Sequence, residues 1–311
     1  MSDLTDSPAP ASSRHYGVVT FVGRPNAGKS TLLNRVLGHK VSIVSDKPQT
    51  TRNRIVGILN DKQGQIAFLD TPGIHKPLHK LNARMMDHVR SSLSEADVIA
   101  LIVDSTEPFG KGDQFVIELL RSEKEHNPDA KRVVLLNKID LLKKHKLLPL
   151  IEQYHGFGVF DELIPISGAT GEGVPELLEL LFKTVHPGEA VYPTDDYTTQ
   201  PERFFAAEMV REKLLHHTAD ELPYTTAVNV ERFEEEGDLI RIYATIYVER
   251  DSQKGIVVGR QGAMIKRIGT EARQELESIL GAKIYLDLRV AVHQGWRDDQ
   301  RFLGDLEWPL G

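Results

Sequence analysis

The chain contains no cysteine. That excludes a disulfide framework, a thiolate metal site and a cysteine nucleophile, and it suits a reducing compartment. It has no apolar run approaching the roughly 18 residues that span a bilayer. The first thirteen residues, Met1–Ser13, carry Ser, Pro, Asp and Ala in place of an apolar core, so they read as a disordered tail and not as a signal peptide. An excess of basic charge is also missing. The formal net charge of −7 argues against wholesale non-specific nucleic-acid binding and leaves room only for a local basic patch. What remains is ordinary for a soluble globular protein, with 40% hydrophobic and 27% charged residues. A length of 311 residues predicts two domains.

The most informative stretch is Gly23-Arg24-Pro25-Asn26-Ala27-Gly28-Lys29-Ser30, which fits G-x-x-x-x-G-K-[ST]. An apolar strand, Tyr16–Val22, precedes it, and a helix beginning with Thr31 follows. Its glycines let the backbone wrap around phosphate oxygens with successive N–H groups pointing inward, at the positive end of the helix. In such a loop the lysine, here Lys29, reaches the β- and γ-phosphates, and the Ser30 hydroxyl ligates Mg²⁺.

From Tyr16 to His186 apolar runs alternate with amphipathic ones. Predicted strands are 16–22, 54–60, 65–70, 98–104, 132–137 and 162–166; predicted helices are 29–37, 82–93, 112–124, 143–154 and 174–185. This order predicts an α/β doubly wound, mostly parallel sheet. The short Asp61–Gly64 connection makes 54–60 and 65–70 a hairpin, with one antiparallel strand at the sheet edge. Ligands of such sheets sit at the carboxyl ends of strands, and further motifs fall there. Asp70-Thr71-Pro72-Gly73 offers a carboxylate to hold Mg²⁺ through its water shell and, at Gly73, a backbone N–H that can meet a γ-phosphate with no Cβ in the way. Asn137-Lys138-Ile139-Asp140 offers a carboxylate that accepts two hydrogen bonds from guanine. With adenine Asp140 would stay unpaired, at a cost of roughly 2–5 kcal/mol. Asn137 is placed to tie this loop to the first one, and the Lys138 stem to lie over the base. Ser167-Gly168-Ala169 brings a backbone N–H towards guanine O6.

The order of these motifs resembles the translation-factor-like GTPases. Within them, Gln49-Thr50-Thr51-Arg52 and Asp70-Thr71-Pro72-Gly73-Ile74-His75 resemble the Era family. The resemblance implies GTP and GDP as ligands, with Gly23, Asn26–Thr31, Asp70–Gly73, Asn137, Lys138, Asp140, Ser167 and Gly168 around them. It departs at Gly168, where the family usually has Ala. It makes Val41–Asn53 a mobile first switch whose Thr50 or Thr51 ligates Mg²⁺ together with Ser30 and Asp70. The resemblance favours Thr50, and physical reasoning does not separate the two. Ras-like enzymes orient water with a Gln after the Gly of this motif. Here Ile74 stands there and cannot hydrogen-bond, so slow intrinsic hydrolysis is expected. Asn26, Thr50 and Gly73 are then the candidate catalytic positions, Asn26 by helping a monovalent cation such as K⁺ supply positive charge, or else as a plain turn-former. His75 reads as a surface histidine.

His186–Gln200, with its prolines, aspartates and threonines, reads as a linker of moderate stiffness. The predicted domains are thus 16–186 and 201–311, joined by 187–200. The second half alternates differently: a helix over 201–217, strands 225–233 and 239–248, a helix over 253–258, Gly259-Arg260-Gln261-Gly262, a helix over 264–280 and a strand over 284–292. Two helices joined by Gly-x-x-Gly resemble a type II KH domain, an α+β fold in which a nucleic-acid backbone passes close to the loop. Arg260, Lys266 and Arg267 place positive charge beside Gly259, Gln261 and Gly262. Gly255–Gly269 and Trp296-Arg297-Asp298-Asp299 again resemble the Era family, although its usual lysine in the loop is here replaced by the Arg260-Gln261 pair. Trp296 reads more readily as a core anchor than as a base-stacking ring. The resemblance implies binding of the 3′ end of 16S rRNA, a role in small-subunit maturation, a monomer, and peripheral association with the inner face of the cell membrane. The rival readings are a GTPase that modifies RNA and an RNA-binding module with a regulatory nucleotide site. The absence of a cysteine nucleophile and of a third catalytic domain counts against the first; Lys29, Ser30, Asp70 and Asp140 count against the second.

Overall fold

The computed structural model describes residues 14–74 and 79–306; Met1–Ser13, His75 and the last five residues lie outside them. The first unit contains β1 (His15–Val22), α1 (Lys29–Leu37), β2 (Ile55–Asp61), β3 (Gly64–Asp70), α2 (Lys80–Glu95), β4 (Val98–Asp104), α3 (Lys111–Ser122), β5 (Lys131–Asn137), α4 (Leu147–Gly156), β6 (Glu162–Pro165), α5 (Val174–Thr184) and the two-residue β7 (His186–Pro187). Strand order is β2-β3-β1-β4-β5-β6, parallel except for β2, which pairs antiparallel with β3 at the edge as the short turn requires. Strands β3 and β4 flank β1 on opposite sides, so the loop after β1 opens at the switch point of the sheet. Apolar residues fill both faces. Phe21, Leu33, Val133 and Leu177 pack on one side; Val22, Val89, Leu101 and Leu136 pack on the other.

The linker is a strap rather than a free spacer. β7 pairs antiparallel with the start of β1, Gln65 Oε1 accepts the Val191 and Tyr192 amides at 2.9 Å each, and Thr198 bridges to Gly57. The carbonyl of Tyr197 accepts the Ile58 amide at 2.9 Å. These bonds cover part of the outer edge of β2, whose backbone groups otherwise have no strand partner.

The second unit runs α6 (Glu202–His217), α7 (Leu222–Thr225), β8 (Ala227–Glu236), β9 (Leu239–Val248), α8 (Asp251–Val258), α9 (Ala263–Leu280), β10 (Lys283–Val292) and α10 (Gln300–Leu306). Its sheet has the order β10-β9-β8, with β8 antiparallel and β10 parallel to β9. The alternation read in β9 holds: Ile240, Ile242, Ala244, Ile246 and Val248 are buried against α6 and α9. The single turn α7 escapes sequence reading because four residues carry no periodicity.

Candidate nucleotide and nucleic-acid sites

The loop after β1 is shaped by backbone that only some residues tolerate. Gly28 has φ +96°, and a Cβ there would lie 2.3 Å from Asn137 Nδ2. Gly73 is equally constrained, since a Cβ would meet Pro25 at 2.8 Å. The loop is fastened at several points. Ile74 N donates to Gly23 O at 3.0 Å, and Asn137 Nδ2 donates to Ala27 O at 2.8 Å. Asn137 Oδ1 accepts the Gly168 amide at 2.9 Å, so one side chain holds three of the predicted loops together.

Lys29 is buried, and its Nζ donates to the carbonyls of Gly23 and Arg24 at 3.3 and 3.1 Å. Burial pulls its ammonium down to about 8, against the attraction of Asp70. Asp70 is fully buried, and burial pushes its carboxyl up. Its Oδ2 accepts hydrogen bonds from Ser30 at 2.7 Å, Ser42 at 3.0 Å and Thr51 at 3.5 Å, while its Oδ1 has no hydrogen-bond partner among the described residues. A buried carboxylate with one free oxygen, ringed by hydroxyls, is a hard oxygen donor set that suits Mg²⁺. Beside it lies a cavity of about 430 Å³, lined by Pro25, Asn26, Lys29, Thr31, Gly73 and Lys138 among others.

Several predicted residues sit differently from their expected roles. Thr51, not Thr50, brings its hydroxyl to the cluster, 2.9 Å from Ser30 Oγ; Thr50 Oγ1 donates to Lys47 O at 2.6 Å. Thr71 is buried and donates to Phe21 O at 2.8 Å, so its side chain serves the fold, and Pro72 is buried beside it. The Ser167 and Gly168 amides are both taken, by Glu172 O and by Asn137, whereas the next residue, Ala169, is exposed. Asn26 does not bond its own backbone: with φ +64°, it donates to Asp46 O at 2.6 Å. Asp140 is exposed, inside a single 3₁₀ turn following Lys138, whose Nζ pairs with Asp104. Ile74 is buried with Val22 and Met86, which fixes it as a core residue.

The Val41–Asn53 segment bonds to the second unit in this structure. Ile43 is buried in that unit's core, and Val44 N donates to Glu212 Oε1 at 2.8 Å. Arg211 donates to the Thr50 carbonyl, and Arg52 donates to the carbonyls of Thr226 and Pro223 at 2.7 and 2.8 Å. Sequence reading misses these contacts because the partners lie more than 160 positions apart.

In the second unit Gly259 and Gly262 both have positive φ, and a Cβ on Gly259 would lie 2.6 Å from that of Met264. Arg260, Gln261 and Lys266 are exposed. A groove of about 280 Å³ runs beside them along α9 and β10, lined by Ile265, Lys266, Gly269, Arg273 and Leu288. Arg267 is drawn away into an ion pair with Glu271 at 3.0 Å. Arg273, two turns beyond Lys266 on the same helix face, lines the groove as well and is likewise ion-paired, with Glu277 at 2.8 Å.

Residues 18–138 match the family described as 50S ribosome-binding GTPase, and residues 221–297 match the KH domain family. Among solved structures, the chain is similar to Era in complex with MgGDPNP and nucleotides 1506–1542 of 16S ribosomal RNA. The two are 38% identical over 94% of this chain and 98% of that one, with a TM-score of 0.89. It is equally similar to an Aquifex aeolicus Era variant, tyrosine replaced by alanine, bound to GDP and aluminium fluoride. Identity is again 38%, over 94% and 98% of the two chains, with a TM-score of 0.88.

Proposed function

The chain belongs to the Era family of GTPases, and on that premise we propose that it binds and hydrolyses GTP at the loops around Lys29 and Asp70 and binds the 3′ end of 16S rRNA along α9, in assembly of the small ribosomal subunit. The observation that carries the reading is the buried Asp70 carboxylate. One of its oxygens is held by Ser30, Ser42 and Thr51, the other has no hydrogen-bond partner among the described residues, and Lys29, Ser30 and Thr51 line a nucleotide-sized cavity. Residues 16–186 carry the GTP site and 201–311 the RNA domain, and 187–200 connect them while strapped onto the first unit.

Mg²⁺ would be held by Ser30 and Asp70 and would neutralise phosphate charge. For Thr50 to join them, its hydroxyl must leave the Lys47 carbonyl. The Gly73 amide, on the cavity wall beside Pro25, would donate to the γ-phosphate. Ile74 cannot orient water, so basal turnover is slow, and a monovalent cation beside Asn26 supplies the missing positive charge. Turnover in K⁺ then exceeds turnover in Na⁺, and equal rates in the two salts would remove Asn26 from catalysis. Binding to anionic vesicles in a flotation assay tests the family's peripheral membrane association.

Nucleotide and RNA affect each other's binding reciprocally. GTP turnover in Mg²⁺ is expected to rise when an RNA carrying the 16S 3′ end is added. A rate unmoved by tightly bound RNA would show two domains on one chain without energetic coupling. Gly262→Asp places a negative charge where the phosphates pass, and is expected to weaken RNA binding about tenfold while GTP affinity stays unchanged. Wild-type RNA affinity would refute the loop's role.

A further inference from the structure

The Trp296-Arg297-Asp298 turn has no place in either site, yet it connects them. Helix α2 begins at Lys80, and its Met86 shares a buried cluster with Ile74. Its N-cap residue, His79, makes no capping hydrogen bond through its own side chain, and its first turn holds no acidic residue. The need is met by the other domain. Asp298 Oδ1 accepts the Lys80 amide at 3.0 Å, and Asp298 Oδ2 lies 3.2 Å from His79 Nδ1. A carboxylate at that end of a helix satisfies an otherwise unpaired N–H and faces the positive end of the dipole.

The turn that carries Asp298 is fixed on both sides. Trp296 is fully buried, and its Nε1 donates to Thr225 O at 2.9 Å. Its ring packs with Leu81, Met85 and Phe302, so α2 is shared: Leu81 and Met85 face the RNA domain, while Met86, Val89 and Leu93 face the GTP domain. Arg297 makes a bidentate pair with Glu249, with both contacts at 2.9 Å. Glu249 is two residues before α8, and its amide is held by Gln253 of that helix at 3.0 Å. Helix α8 ends at Gly259, the start of the Gly-x-x-Gly loop.

We propose that Asp298 is a positioning residue for GTP hydrolysis: it caps α2 from the RNA-binding domain and so holds the helix whose Met86 shares a buried cluster with Ile74, the residue after Gly73. The Glu249–Arg297 pair extends this contact to the helix preceding the RNA loop. The proposal rests on the GTPase reading and adds a residue in the other domain to it.

The test uses the full chain and compares wild type with Asp298→Ala and Asp298→Asn. Two quantities are measured: kcat and KM for GTP, and amide hydrogen exchange over residues 80–84. Loss of a helix cap corresponds to about a fivefold effect. The Ala variant is therefore expected to lower kcat about fivefold with KM unchanged, and to speed first-turn exchange by a similar factor. Asn caps a helix as well as Asp does, so Asp298→Asn should restore both. Faster exchange with wild-type kcat would reduce the contact to a structural cap and overturn the proposal. So would unchanged exchange in the Ala variant. A wild-type chain without turnover would sink the GTPase reading and this one with it.

Discussion

Lys29→Ala is expected to abolish GTP binding in the micromolar range. Among the described residues no carboxylate is hydrogen-bonded to the Lys29 ammonium; it donates to the carbonyls of Gly23 and Arg24. It is desolvated and waits for a charged partner. Each charge-assisted hydrogen bond contributes about 1.5–3 kcal/mol, so losing contacts to two phosphates costs about 100-fold or more in affinity. The fold should not suffer, because removing a buried cation also removes its desolvation cost. Equilibrium titration with GTP, beside a thermal melt of the same sample, makes the check. Retained micromolar affinity would sink the assignment of the phosphate site. The position of the lysine's titration adds a second reading. Burial lowers Lys29 to about 8 in the free protein, and a bound triphosphate raises it again. Binding must therefore take up a proton above pH 8, and wild-type affinity should fall as pH rises from 8 towards 10, by up to tenfold per unit. The Ala variant should show no such slope.

Asp140→Asn should exchange guanine preference for xanthine preference. The carboxylate is exposed at the strand end, so the near-isosteric change leaves the protein's own contacts intact. With GTP, the Asn carbonyl still accepts the N1–H, but the hydrogen bond from the guanine amino group is lost and an amide donor faces a donor. With XTP, the amide meets the carbonyl that replaces the guanine amino group. A penalty of roughly 2–5 kcal/mol for an unpaired partner predicts about a 100-fold loss for GTP and a comparable gain for XTP. Competition between the two nucleotides decides it, and an unchanged ratio would remove Asp140 from the base site.

How much of this was legible in the sequence depended on the range of the interactions. The strand, loop and helix around Gly23–Ser30 were readable because a fixed local spacing encodes them, and α1 and β4 fall on their predicted residues. The alternation in β9 was readable for the same reason. Residue roles set by distant partners were not. Thr51 and not Thr50 faces Ser30, in a stretch whose Thr50 carbonyl is held by Arg211 of α6, 161 positions away. That the Gly168 amide is already spent follows from the orientation of one Asn137 side chain. Trp296 was correctly read as an anchor from its chemistry, but nothing in its neighbours announced Asp298 as a cap for a helix 218 positions earlier.

The strap between the domains sets where the chain can be divided. A GTP domain ending at His186 would lose the Val191 and Tyr192 amides that bond Gln65, leaving that buried side chain without them, and would bare the outer edge of β2 at Gly57 and Ile58. An uncovered edge strand recruits other chains. The same domain ending at Gln200 keeps the edge covered and should stay monomeric at concentrations where the shorter one self-associates, so that the boundary of the autonomous unit lies past the apparent linker, and the strap travels with the GTP domain.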